Sequence, residues 1–220
     1  MSKRIIDFLT DLSANNDKAW FDTHRNDFEV AKNELLSIVE NVIADLSVFD
    51  STIGTPEAKK CIFRQHRDVR FSKNKQPFKT NMGAFIVKGG KSSSNAGYYV
   101  HFEPGQSFVG GGIYAPQPEV LHALRTEIYF NAPAFKSIVF NENFRHIFGD
   151  LMDERLVKAP KGFPVDFGDI ELLKYKHYVV SRPFTPEKMS TSDIQIFIIE
   201  TFKNMVEFNQ FLNQALVNKE

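Results

Sequence analysis

The sequence predicts an α+β fold: a central, mainly antiparallel sheet flanked by N- and C-terminal helices, in a single domain over residues 1–220. Three observations predict it. Apolar residues recur at helical spacing through residues 1–50 and again, with interruptions, through 116–220. Short strand-like runs separated by turn residues fill 59–115. No strand–helix–strand alternation of the kind that builds a doubly wound sheet occurs anywhere.

The first helical stripe is Ile5, Phe8, Leu9 and Leu12. Asn16 is placed to cap a short helix carrying Trp20 and Phe21. Asn26, with Glu29 three residues later, has the spacing of a capping box. It precedes a stripe of Phe28, Ala31, Leu35, Ile38, Val39, Val42 and Leu46. The strand candidates are Cys61–Arg64, Val69–Phe71, Ala84–Lys88, Tyr98–Glu103 and Ser107–Tyr114. Hairpin-length connections make them antiparallel neighbours. Gly110, Gly111 and Gly112 in a row inside a strand imply a bulge or a close backbone approach. The Ser107–Tyr114 strand also reads as an edge able to pair with a second chain. Pro118 suits the first position of a helix with the stripe Leu121, Leu124, Ile128. Asn131 and Pro133 open another, and Phe144, Ile147, Phe148 and Leu151 continue after a break. A short helix near Asp169–Lys174 precedes a final strand, Tyr175–Ser181. Thr191 or Ser192 caps a last helix whose stripe runs from Ile194 to Leu212.

Composition narrows the function classes. Hydrophobic content of 42% and charge of 25% are those of an ordinary soluble globular protein. With 22 Phe against one Trp and six Tyr, the core is expected to be built from Phe rings in offset or edge-to-face contact. A single Cys, Cys61, excludes an internal disulfide and a multi-cysteine zinc site. Its expected role is that of a buried small hydrophobe. Asp7 and Asp11 interrupt what would be the apolar stretch of a signal peptide, and no run is long enough to cross a bilayer. A reducing, cytoplasmic location without membrane association is therefore expected. The histidines (His24, His66, His101, His122, His146 and His177) show neither H-x-H nor H-E-x-x-H spacing. No Gly-rich phosphate loop is present either, so neither a metal nor a cofactor is expected.

Charge is where the sequence is unusual. The formal net charge is zero, yet Lys59–Lys79 holds eight basic residues against one acid, a net of +7. The preceding residues, Met1 to Glu57, carry 11 acids and 5 bases, a net of −6. Guanidinium and ammonium groups at such density, interleaved with hydroxyl and amide donors, suit an anion. The candidate ligand-binding residues are Arg64, Arg67, Arg70, Ser72, Lys73, Lys75, Lys79, Thr80 and Asn81. Asp68, the one acid, is a candidate to orient a neighbouring guanidinium or to act as a base. Tyr99, His101 and Glu103 share one face of their strand, opposite Tyr98, Val100 and Phe102. That makes His101 the candidate catalytic acid or base with Glu103 orienting it. The wet side of an antiparallel sheet has the same look.

The run FRQHRDVRFSKNKQPFKTN, with Asn15-Asn16 and Trp20-Phe21 before it, resembles a bacterial and fungal domain-of-unknown-function family, number 2461. AGYYVHFEPG, FVGGGIYAP, Leu124-Arg125, APKGF and LLKYKHYVVSRP extend the likeness over nearly the whole chain. The resemblance implies a compact α+β domain of this length and no particular activity. Arg64, Arg67, Asp68, Arg70, Ser72, Lys75, Lys79, Thr80 and Asn81 fall on the family's pattern positions. Phe78 stands where many members have Tyr, so the likeness carries no hydroxyl chemistry to that point.

Three readings of the block follow. It binds, and in one version processes, a small phosphate-bearing or other anionic ligand. It contacts nucleic acid, which overall neutrality disfavours. Or it is an ion-paired scaffold that neutralises the acidic helices before it. No sequence feature sets an oligomeric state.

Overall fold

Helices at both ends of the chain and strands between them give an α+β architecture, seen in a computed structural model that describes residues 3–217. In order the elements are helices α1 (Lys3–Ala14), α2 (Lys18–Thr23), α3 (Arg25–Phe49) and α4 (Ala58–Cys61), then strands β1 (Met82–Ile86), β2 (Gly97–Phe102) and β3 (Phe108–Ile113). Helices α5 (Pro118–Phe130), α6 (Ala132–Val139), α7 (Glu142–Phe148) and α8 (Ile170–Leu173) follow, then strand β4 (Tyr178–Pro183) and helices α9 (Thr191–Lys203) and α10 (Val206–Val217). The strands form one antiparallel sheet in the order β1-β2-β3-β4.

Alternation divides the sheet into two unlike faces. Ala84 and Ile86 of β1, Tyr98, Val100 and Phe102 of β2, Val109 of β3 and Tyr178 and Val180 of β4 are buried on one of them. Helices α9 and α10 cover it. The Phe202 ring lies 4.8 Å from that of Tyr98, and Asn209 donates its amide N–H to the Gly97 carbonyl at 3.2 Å. Gly111 is required for this close packing, because a Cβ there would stand 2.5 Å from the Met205 sulfur. Gly112 has φ of +108°, and a Cβ on it would meet the Tyr178 carbonyl oxygen at 2.1 Å. The glycine run thus marks a close backbone approach, as its sequence suggests. Buried aromatic and aliphatic side chains of this kind contribute about 1.5–3 kcal/mol each. At the end of α3 the buried Asp50 carboxylate accepts the Tyr98 hydroxyl at 2.5 Å and the Thr52 hydroxyl at 2.6 Å. That tie fixes β2 against α3, and burial together with Asp50 pushes the Tyr98 phenol far above its ordinary range.

Several expectations are corrected. Cys61–Arg64 is not a strand: Cys61 ends α4, and only Ile62 makes an isolated bridge, to Ala84. Val69–Phe71 lies outside any strand, and Phe71 is 95% exposed rather than turned inward, since Arg70 before it and the polar Ser72–Lys75 run after it leave it no apolar face to join. β3 is an interior strand between β2 and β4, so it offers no free edge to a second chain. The β1–β2 connection, residues 87–96, is much longer than a tight hairpin. Asp17, not Asn16, caps α2 by accepting the Trp20 N–H. Asn26 lies inside α3, whose N-cap is His24. Ser190 caps α9 in a capping box with Asp193. The predicted last helix is two helices. At Asn204 the side-chain amide takes the Glu200 carbonyl, 2.7 Å away, that a continuing helix would give to the Asn204 backbone N–H. The apolar stripe nonetheless crosses the break, since Met205 and Phe208 stay buried.

Gly111→Ala is expected to destabilise by about 1–3 kcal/mol through overpacking against Met205 and the Gly97 carbonyl, read as a lower urea midpoint at unchanged slope.

Candidate functional site

The basic block folds as a narrow finger. The Arg67 N–H donates to the Pro77 carbonyl at 2.8 Å and the Lys79 N–H to the Gln65 carbonyl at 2.9 Å. The Gln65 amide, buried, donates to the carbonyls of Lys79 and Asn81. One residue pins the finger to the helices. Asn16 donates to the Phe78 carbonyl at 3.0 Å and accepts the Phe78 N–H at 3.1 Å. The Phe78 ring stacks on Phe21 with centroids 4.0 Å apart. Phe78 therefore acts as an anchor, which needs no hydroxyl.

The acidic helices do not neutralise the finger. Asp22 pairs with Arg25 across the α2–α3 junction and Glu29 with Lys32 within α3, each three residues along the chain. Asp7, Asp11 and Asp27 line a separate recess of about 400 Å³ with Arg4 and Trp20. Among the described residues, the ion pairs of the block are Lys60 with Glu57 and Arg70 with Asp68. Asp68 takes two hydrogen bonds from the Arg70 guanidinium, at 3.0 and 2.7 Å, and these hold its carboxyl below the usual range. Such a carboxylate is a poor base and a good clamp. Arg67 reaches the Ser72 hydroxyl at 3.4 Å, and Lys75 the Val69 carbonyl at 3.1 Å. Lys73 is exposed at the outer end.

The remaining cations gather elsewhere. The Lys79 ammonium lies 5.3 Å from the centre of the Phe63 ring, and the Lys91 ammonium 5.2 Å from it. Arg64 is the next residue along. Burial, then the charges of Arg64 and Lys91, push the Lys79 ammonium below its ordinary pKa. Lys91 donates to the Ile62 carbonyl, and among the described residues none of the three cations forms an ion pair, although the Arg64 charge also acts on Asp68. The attraction to the Phe63 ring, about 0.5–2 kcal/mol per cation, offsets part of their mutual repulsion.

Phe63 and Lys91 stand at the rim of a cleft of about 830 Å³ on the open face of the sheet. Its floor is Phe85, Tyr99 and Phe108 with Gly110 and Gly112. Residues 91–95 form one wall and residues 114–117 another. The volume suits a small molecule.

Beside the floor runs a chain of hydrogen bonds. The Thr80 hydroxyl donates to Glu103 Oε1 at 3.0 Å. Glu103 Oε2 lies 3.1 Å from His101 Nε2, and His101 Nδ1 lies 2.8 Å from the Tyr99 hydroxyl. The His101 ring stacks on Phe108 at 4.7 Å. Burial, then the Glu103 charge, push the Tyr99 phenol up to about 12. Cys61 is buried, which raises its thiol, and it donates only weakly to the Glu57 carbonyl.

The sequence-predicted residues thus fall into three groups. Lys79 shares the Phe63 ring with Lys91, and the Arg64 charge acts on both Lys79 and Asp68. Thr80 and His101 belong to the hydrogen-bonded chain with Glu103 and Tyr99. Arg67, Asp68, Arg70, Ser72, Lys73 and Lys75 belong to the finger, and Asn81 serves through its backbone carbonyl. Lys91 and Phe63 were not among them. Lys91 sits in a Gly/Ser-rich connection that reads as a turn, and its one signal is that the connection is longer than a tight hairpin needs. Phe63 reads as a strand residue with no feature of its own.

Among the described residues, no three His, Cys, Asp or Glu side chains gather to hold a metal ion, and no helix is long and apolar enough to cross a membrane. The family model described as "Conserved hypothetical protein (DUF2461)" matches residues 4–211. No curated protein and no solved structure matches the chain.

Because Lys79 is crowded by like charge, Lys79→Met is expected to raise the melting temperature by about 1–2 °C, a modest gain for a group still screened by solvent. Arg70→Ala, which breaks an exposed pair, should leave it nearly unchanged. Parallel thermal melts check both.

Proposed function

The chain belongs to the DUF2461 family, whose description names no reaction, and from the site itself we propose that it binds a small molecule carrying a phosphate or another anionic group. The anion sits among Arg64, Lys79 and Lys91, and the rest of the ligand lies on the aromatic floor of Phe85, Tyr99 and Phe108. The observation that carries this reading is the pair of ammonium groups, Lys79 and Lys91, that share the Phe63 ring at the rim of a ligand-sized cleft with no ion-pair partner among the described residues, while the Arg64 charge also acts on Lys79. A protein gains nothing in stability from such crowding, and an arriving anion relieves it. The finger cations Arg67, Arg70, Lys73 and Lys75 add a positive field beyond the mouth, with Arg70 paired to Asp68. A reducing compartment, the cytoplasm, suits the free thiol of Cys61.

A second reading rests on Phe71. Its ring is 95% exposed, with the Arg70 guanidinium 5.8 Å from its centre. An aromatic tip among cations fits stacking on a single-stranded nucleic acid. Such binding weakens steeply with salt.

Titration with inorganic phosphate, pyrophosphate and a panel of phosphorylated metabolites, followed by melting, tests the first reading. At least one is expected to raise the melting temperature with concentration, as ligand saturation does, and Lys79→Ala combined with Lys91→Ala should abolish the rise. An equal response in the double variant, or none from the whole panel, contradicts it. Binding of a labelled single-stranded oligonucleotide that falls with salt and is lost in Phe71→Ala supports the second.

A further inference from the structure

We propose that Tyr99 is the catalytic acid–base group of this cleft, driven by a relay through His101 to Glu103. The inference deepens the anion-binding reading, because the charge the relay creates would face the cations at the mouth.

The argument begins with tautomers. As a carboxylate, Glu103 only accepts hydrogen bonds, so at 3.1 Å it fixes the proton of a neutral His101 on Nε2. His101 Nδ1 is then an acceptor, and the Tyr99 hydroxyl 2.8 Å away donates to it. The phenol oxygen keeps its lone pairs for a ligand. Each member is held. Thr80 donates to the second carboxylate oxygen of Glu103 at 3.0 Å, the Glu103 N–H is bound by the Ser107 hydroxyl at 3.0 Å, and Phe108 stacks on the imidazole. Gly83 makes room for the phenol, since a Cβ there would stand 2.8 Å from the Tyr99 oxygen. Tyr99 lines the cleft whose rim carries Phe63 and Lys91, and the Phe63 ring meets the Tyr99 ring edge-on at 6.1 Å. Because burial raises this phenol, it stays protonated near neutral pH and cannot act as a preformed phenolate. It can take a proton only by passing its own along.

The step balances. An acidic O–H, N–H or C–H bond of the bound ligand breaks, and its proton goes to the phenol oxygen. The original phenol proton moves to His101 Nδ1. The imidazolium so formed is held by Glu103, and the new negative charge on the ligand faces the Lys79 and Lys91 ammonium groups beside the Phe63 ring. Release of the proton from His101 to water resets the site. Tyr99 and His101 handle the proton, while Glu103 and Thr80 are positioning residues. The substrate class is a small anion with an acidic hydrogen whose removal adds a second negative charge.

An uncharged probe tests the relay without a known substrate. Phenylmethanesulfonyl fluoride is attacked by the phenol oxygen; an O–S bond forms, the S–F bond breaks, fluoride leaves and the phenol proton passes to His101. Peptide mass mapping compares Tyr99 with Tyr114, which is exposed and outside the relay. Tyr99 is expected to react faster than Tyr114, and to slow roughly a hundredfold in His101→Asn and in Glu103→Gln, the low end of what a positioned acid–base group contributes. Melts confirm that both variants are folded. A Tyr99 rate in the unmodified chain no higher than that of Tyr114, or one unaltered in His101→Asn, overturns the proposal. Because the probe carries no charge, this outcome is independent of the phosphate titration, so the two readings fail separately.

Discussion

The alternation of β2 is the constraint on which the rest of this structure depends. Tyr98, Val100 and Phe102 enter the core, and that commitment forces Tyr99, His101 and the following Glu103 to the other side of the sheet. The Tyr98–Asp50 bond and the packing of α9 and α10 against Gly111 hold β2 in that register. A slip of one residue would bury an imidazole and expose the largest core rings, so the arrangement of the open face is fixed by the energetics of the covered one.

The cationic site is a second consequence of that frame. Phe63 lies beside β1 because its N–H bonds to the Gly83 carbonyl at 3.0 Å, and Lys79 reaches the same ring because Asn16 and Phe21 hold Phe78 next door. Lys91 arrives from the long β1–β2 connection. Two separate pieces of chain therefore deliver an ammonium group to a ring supplied by a third. The charges are not spent on the acidic helices, whose carboxylates pair locally or line their own recess.

Much of this was legible in the sequence, for reasons that differ by element. The α3 stripe and the two polarities of β2 are periodic, and periodicity survives into the fold because burial enforces it. The Pro118 and Asn131 helix starts were legible because backbone chemistry is local. Asn16 has the look of a cap in sequence, but its partner is Phe78, distant along the chain. The supposed strand Val69–Phe71 failed because a valine and a phenylalanine among cations mimic alternation without having a surface to cover. At the site, His101 with its neighbours at a spacing of two could be seen, and so could the density of charge from Lys59 to Lys79. Which cations would remain without an acid could not, because pairing is decided by tertiary geometry. Lys91 and Phe63 show the same limit.

A crystal structure of the protein with sulfate tests the central claim most directly. The account predicts a sulfate at the rim of the cleft, within hydrogen-bonding distance of at least two of Arg64, Lys79 and Lys91 and beside the Phe63 ring. A structure in which these three side chains splay apart, or pair with carboxylates, and leave the rim without an anion would contradict it.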